Sequence, residues 1–274
     1  MSTAVAYPGR DGAHSAAAAA ALFPEAEHVP LPSFSAVTEA AAAGAVEFGV
    51  LPIESSLSGP IAETHDLLYG SPLSITGETV LPIRHCLAGV RIVPLEEIRI
   101  VRSHPAALDQ CRRLLAAMPW ATAVAAATTA DAAAHIAEHD DPAEVAITSE
   151  RASELHGLTV ISGNVGDHPD ARTRFVSVAP YTRLDREQES WRTAFSFVTD
   201  HRSGALHDAI GPFAHHGIDL VQLVSRPIPE SPWTYRFDAV LAGHPLDPET
   251  RLALAEVRTR VRRLRVFGSY PAAT

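Results

Sequence analysis

The chain has 274 residues, 46% of them hydrophobic, and a formal net charge of −10 from 32 acidic and 22 basic residues. That is longer than one mid-sized domain requires, so two domains are expected, and so large an apolar share excludes a disordered chain. The acidic balance argues against a nucleic-acid partner, yet leaves room for an anionic ligand held by locally placed arginines.

Residues 4–7 read as a short apolar strand, and 8–12 as a turn carrying Gly9 and Gly12. Ser15 is placed to cap the alanine-rich helix that follows. Strand, glycine loop and helix N-terminus together can offer free backbone N–H groups to an anion. An ordinary βα turn has the same spacing, and both readings stand at this point. Arg10 is followed at once by Asp11, and the run 16–21 is only six alanines, short of a signal-peptide core. No stretch reaches the roughly 18–20 apolar residues of a membrane span. A cytoplasmic protein with no membrane partner is expected.

Residues 35–43 read as a helix, 48–53 as a buried strand, 54–59 as a polar loop and 61–68 as a helix. A strand at 98–101 precedes Ser103, read as the cap of the next helix, with Pro105 in its first turn. A strand at 145–147 precedes Thr148-Ser149-Glu150, which opens another helix. This alternation implies an α/β class with parallel sheets and right-handed crossovers. Ligands of such sheets sit at the carboxyl ends of strands, so the loops following these strands converge on one cleft. Cys86 and Cys111 are far apart and read as buried, reduced thiols. The fourteen histidines show no metal-ligand spacing, and the adjacent His215 and His216 point apart on a helix.

Residues 181–190 are polar and charged and read as a linker between a domain at 1–180 and one at 191–274. Beyond it come a strand at 194–198, a helix from 203 to 216 stopped by Gly217, strands at 218–224 and 233–241, a helix at 248–260 and a strand at 262–268. That order, βαββαβ, is a ferredoxin-like unit. The basic run 258–265 fits a helix end and an edge strand.

Four strings stand at set separations: Leu51-Pro-Ile-Glu-Ser-Ser-Leu-Ser-Gly59, Gly77-Glu78 with Leu81-Pro82-Ile83 and His85, Ser103-His104-Pro105 with Gln110-Cys111, and Thr173-Arg174-Phe175. Together, in this order, they resemble the prephenate dehydratase family, and residues 191–271 resemble the ACT regulatory domain. The resemblance implies a two-lobed, periplasmic-binding-protein-like catalytic domain with its site between the lobes. It implies prephenate as substrate, loss of carbon dioxide and hydroxide to give phenylpyruvate, no cofactor and no metal. It assigns catalytic roles to Thr173, Glu54, Ser55 and Gln110. Substrate binding falls to Arg174, Phe175, Ser103, His104 and Ser56, beside Gly9 and Ser15 of the first loop. In the ACT resemblance Gly204, Ala205, Leu206, Asp219, Ser225 and Arg226 hold an amino-acid effector, phenylalanine, and the chain forms a homodimer or homotetramer.

This chain departs from the family pattern at four residues. Ser55 stands where the family has Asn, and a hydroxyl replaces one hydrogen bond of an amide but not both ends. Ala127 stands where an acidic residue is usual. In the ACT string Val224 replaces a glutamate, and Asp219 an asparagine. The alternatives are an arogenate dehydratase or an enzyme acting on a prephenate analogue and, further off, a non-catalytic amino-acid-binding module.

Overall fold

Short apolar strands alternate with helices through the first 180 residues, and they assemble into two lobes. The computed structural model describes residues 3–182, 190–228, 231 and 233–273. The first lobe contains β1 (Ala4–Pro8), α1 (His14–Leu22), β2 (Glu27–Leu31), α2 (Phe34–Ala42), β3 (Phe48–Ser55), β4 (Gly59–Pro60), α3 (Ala62–Gly70) and β5 (Ser74–Pro82). α1 is almost all alanine, which loses no side-chain entropy in a helix, and its small side chains let it lie close on the sheet. Ser33 caps α2 by accepting the Ala36 N–H at 3.1 Å.

The chain then crosses into a second lobe. This holds β6 (Cys86–Gly89), β7 (Ile100–Ser103), α4 (Pro105–Asp109), α5 (Arg112–Ala116), β8 (Thr122–Ala125), α6 (Thr129–His139), β9 (Glu144–Thr148), α7 (Glu150–Leu155) and β10 (Thr159–Ser162). It returns as β11 (Arg172–Ala179), which inserts between β3 and β5. The two crossings are bonded to each other: Ile83 N–H donates to Ala171 O at 2.8 Å and Val165 N–H to His85 O at 2.9 Å.

The strand orders are β2-β1-β3-β11-β5, with β4 on β3, and β10-β6-β9-β7-β8. Neither sheet is purely parallel, which corrects the expectation from the alternation of elements. β11 runs antiparallel to both its neighbours, and β6 antiparallel to β9 and β10. The reason is connectivity. These strands enter a sheet from the opposite lobe, so no crossover helix dictates their direction.

The remainder holds β12 (Trp191–Val198), α8 (Ala205–His215), β13 (Leu220–Pro227), β14 (Tyr235–Ala242), α9 (Pro248–Arg260) and β15 (Arg263–Pro271). The antiparallel order β13-β14-β12-β15 is the ferredoxin-like arrangement. One face of this sheet buries Phe195, Phe197 and Leu241 under Phe213 of α8 and Val257 of α9. The other face adds Ala194, Val240, Phe267 and Tyr270 to the cluster that holds Leu51, Ile75 and Val176 of the first lobe. The expected linker lies largely at 183–189, outside the described residues. Cys86 and Cys111 are free and buried. Burial raises both thiols, Cys111 to about 12 with help from the Asp167 carboxylate, so neither is a thiolate at neutral pH. Among the described residues no helix is long and apolar enough to cross a membrane.

Where the ferredoxin-like unit packs on the first lobe, two backbones come close at Gly268. Gly268, at φ 142°, lies where the β12–β15 register shifts, and a Cβ there would run into the Ile75 carbonyl. Gly268→Ala should therefore cost about 2–5 kcal/mol, from strain plus overpacking. Urea unfolding of the two proteins measures this, and an unchanged midpoint would mean that the interface yields.

Candidate active site

The two lobes enclose a cavity of about 990 Å³. Its first-lobe wall comes from β11 and β3. Thr173 stands directly opposite Ser55 in the strand pairing, so both point to one face. β3 carries an unpaired extra residue, Ile53, between the partners of Arg174 and Phe175. This bulge turns Pro52 back to the cleft face, and Pro52, Ser55, Thr173 and Phe175 all line the cavity. Ser55 Oγ accepts from Leu57 N–H at 3.2 Å and Ser58 N–H at 3.4 Å, so it also shapes its own turn.

The loop after β1 closes over the cavity from the same lobe. Gly9 takes φ 98°, which a side chain disfavours, and Arg10, His14 and Ser15 follow it along the wall. Arg10 reaches across to Asp131 of the second lobe at 2.5 Å. Thr128 caps α6, accepting the Asp131 N–H at 2.9 Å and donating to its carboxylate at 2.7 Å. His104, Gln110 and His85 complete the opposite side, with His85 Nε2 3.1 Å from Gln110 Oε1.

The charge of the site follows from these positions. Burial lowers the pKa of His14 to about 4, with the neighbouring His85 adding to the effect. Burial also lowers His85 and His104. The three imidazoles are therefore neutral hydrogen-bonding groups at pH 7. Arg10 is the one guanidinium among the lining residues, which also include the carboxylates of Glu63 and Asp131. The N-termini of α1, α2 and α6 open on the same cavity through Ser15, Phe34 and Thr129, and α1 has no side-chain cap. Helix N-termini and one guanidinium make a cleft suited to a small carboxylate-bearing molecule.

The sequence expectations divide at this point. Thr173, Ser55, Gln110, Phe175, His104, Gly9 and Ser15 are brought to the cavity. Arg174 and Glu54 are not. They alternate with Thr173 and Ser55, point to the other face of the sheet and pair there at 3.6 Å. Ser103 is fully buried and donates to Ile147 O at 2.6 Å; the helix cap is instead His104, whose Nδ1 accepts the Ala106 N–H. Ser56 accepts the Arg172 N–H at 2.9 Å outside the cavity lining. Ser15 lies inside α1, whose cap position is Ala13. Ala127 does line the cavity, so two of the departures from the family pattern, Ser55 and Ala127, fall in the site itself.

In the ferredoxin-like unit Gly204 takes φ 79° and occupies the cap position of α8, leaving that helix start without a side-chain cap. Ala205 and Leu206 follow it, Asp219 precedes β13, and Ser225 lies exposed on β13. Arg226 is already engaged: it donates to Asp66 of α3 at 2.6 Å, and so clasps the first lobe. Val224 pairs with Asp238, whose carboxylate receives Arg236 and stands 3.2 Å from His65 of α3.

Sequence reasoning missed Arg10, His14, His85, Thr128 and Asp131 as site residues. Thr128-x-x-Asp131 ahead of an apolar run is a helix-start signature that would have flagged two of them. His14 has a measurable consequence. Its folded pKa lies below the ordinary 6.5, so between pH 6.5 and 4 the unfolded chain binds the proton and the folded one does not. Stability should fall as pH drops through that window, by on the order of 2–3 kcal/mol from this group. Urea unfolding at a series of pH values should show a shallower fall for His14→Gln; an identical slope would exclude the group.

With the geometry in place, comparison with known proteins gives the family. The family model for prephenate dehydratase matches residues 5–182. Arogenate dehydratase/prephenate dehydratase 2, chloroplastic, of Arabidopsis thaliana is 34% identical over 279 residues, covering 98% of this chain and 73% of that protein. The crystal structure of a prephenate dehydratase from Arthrobacter aurescens in complex with L-Phe superposes with a TM-score of 0.91 at 28% identity, covering 99% of this chain and 90% of that one. A further solved structure, GqqA, described as a novel type of quorum quenching acylase, gives a TM-score of 0.88 at 30% identity over 98% of both chains. The family model spans the whole two-lobed region, and this chain belongs to the prephenate dehydratase family.

Proposed function

We propose that the cleft converts prephenate to phenylpyruvate, and that Thr173 assists the leaving hydroxyl. The observation that carries this reading is the placement of Thr173, opposite Ser55 on the wall of a cavity on which three helix N-termini also open. Prephenate bears a ring carboxylate, a pyruvyl carboxylate and a ring hydroxyl. The electron pair of the ring C–carboxylate bond moves through the ring as carbon dioxide departs, the C–OH bond breaks, and one proton converts the hydroxide to water. Recovery of aromaticity drives the step. Thr173 Oγ–H donates to the departing oxygen, and the proton is restored from solvent. Arg10 and the helix N-termini receive the carboxylates, so substrate binding opens the Arg10–Asp131 pair.

An acylase cleaves an amide and needs a nucleophile activated by a base. Among the described residues no hydrogen bond joins a cleft histidine to a cleft hydroxyl: His104 Nδ1 accepts from a backbone amide and His85 Nε2 meets Gln110. Dehydration of prephenate requires no such nucleophile–base pair. An assay following phenylpyruvate absorbance from prephenate, run beside one following phenylalanine formed from arogenate, separates it from its nearest variant. Thr173→Val keeps the β-branched shape and should lower turnover by roughly 10²–10⁴-fold. Wild-type turnover in a folded variant removes Thr173 from the mechanism.

For the ferredoxin-like unit we infer an ACT-type regulatory role with an amino acid as effector, phenylalanine being the candidate that the A. aurescens complex supports. The uncapped start of α8 at Gly204 suits the carboxylate of such a ligand. Titration calorimetry with L-phenylalanine should give binding that Gly204→Val weakens about tenfold or more, since valine resists a positive φ. Equal affinity in both proteins would place the effector elsewhere.

A further inference from the structure

The strand that carries Thr173 has a second face, and on it two buried groups are incompletely matched. The Glu78 side chain on β5 is wholly buried. Its Oε1 accepts from Arg192 Nη1 at 2.7 Å and from Ala273 N–H at 2.8 Å, both in the ferredoxin-like part of the chain. Among the described residues its Oε2 accepts from no donor, and Arg174 Nε, also buried, donates to no acceptor. These two atoms face each other at 3.9 Å. That is about 1 Å beyond a charge-assisted hydrogen bond, and a buried charged group left unbonded is costly. Nearby Tyr270 is fully buried, and burial raises its phenol well above the ordinary value, so the surroundings of the pair are dry.

Such a pair has a second arrangement within reach. A small slide of β11 along β5, or of β12 against β5, closes the gap. Thr173 and Arg174 are consecutive on a strand hydrogen-bonded on both edges, so a backbone shift that brings Arg174 toward Glu78 moves Thr173 in the cleft. Arg192 holds the same carboxylate from the other side.

We propose that Arg174 is a positioning residue for Thr173, and that Arg192 passes displacement of the ferredoxin-like sheet to it through the shared carboxylate of Glu78. The proposal rests on the reading that Thr173 acts in the cleft, and its test keeps the two apart. Full-length protein with ¹³C-methyl-labelled threonine reports Thr173 directly, the resonance being assigned by its loss in Thr173→Val. Arg192→Met should shift the Thr173 methyl signal. In an Arg174→Met background the same change should shift only the adjacent Thr193. In kinetics Arg174→Met should lower kcat about 10–100-fold, the effect of a misplaced catalytic group, with KM nearly unchanged because the side chain lies outside the cleft. Arg192→Met added to Arg174→Met should lower kcat no further, whereas independent effects would multiply. Arg174→Lys, which keeps the charge but loses the guanidinium fork, replaces Arg174→Met if that variant does not fold. A Thr173 methyl signal that ignores Arg192→Met while Thr193 responds would overturn the coupling, and so would multiplicative losses of kcat. An unmodified protein inert toward prephenate would overturn the dehydratase reading alone, because the methyl signals still test the coupling.

Discussion

The antiparallel insertion of β11 between β3 and β5 is the constraint on which the rest depends. One strand closes the first lobe, forms a wall of the cleft and backs onto the ferredoxin-like sheet. Alternation of side chains then sends Thr173 and Phe175 to the cleft and Arg174 to the opposite face, without any loop to position them. A site built on a strand bonded along both edges is stiffer than one built on loops, and its precision is inherited from the sheet. The Ile53 bulge is the local adjustment that keeps Pro52 and Ser55 on the same wall.

An acidic protein receives an anion here by geometry more than by net charge. Against a formal −10, the cleft offers one guanidinium, three neutral imidazoles and three helix starts. Partial charges fixed in the backbone do not reorganise during a reaction, and they act strongly where water is excluded. Asp131, one turn into α6 from Ala127, supplies a carboxylate in the region where this chain lacks the family's usual acidic residue. Its partner Arg10 comes from the other lobe, so the pair also bridges the cleft.

Element order, the ferredoxin-like unit and the cleft position of Thr173 were legible in the sequence, because motif strings and turn residues fix them locally. Sidedness was not. Arg174 looked like a ligand for a carboxylate because it adjoins Thr173, but period-two alternation sends neighbours to opposite faces, and Glu54 left the cleft for the same reason. Ser103 read as a helix cap, yet it ends β7 as a buried hydroxyl, and the capping moved one residue on to His104. Sheet direction was misread because alternating strands and helices carry no record of which strand arrives from the other lobe. Arg10 and Asp131 lie 121 positions apart, and no local pattern announces such a pair.

The late position of β11 bears on how the molecule comes into being. β3 and β5 finish by residue 82, but the strand that joins them is made only after the whole second lobe, at residues 172–179. Until then the growing chain presents two unpaired strand edges flanking a gap, the kind of surface that invites mispairing. The second lobe, by contrast, is one continuous stretch from 86 to 162 and can fold as it emerges. Assembly on the ribosome is thus expected to run from the inserted lobe outward. The cleft wall with Thr173 forms last among the catalytic parts, and the ferredoxin-like unit then docks on a sheet that has only just closed.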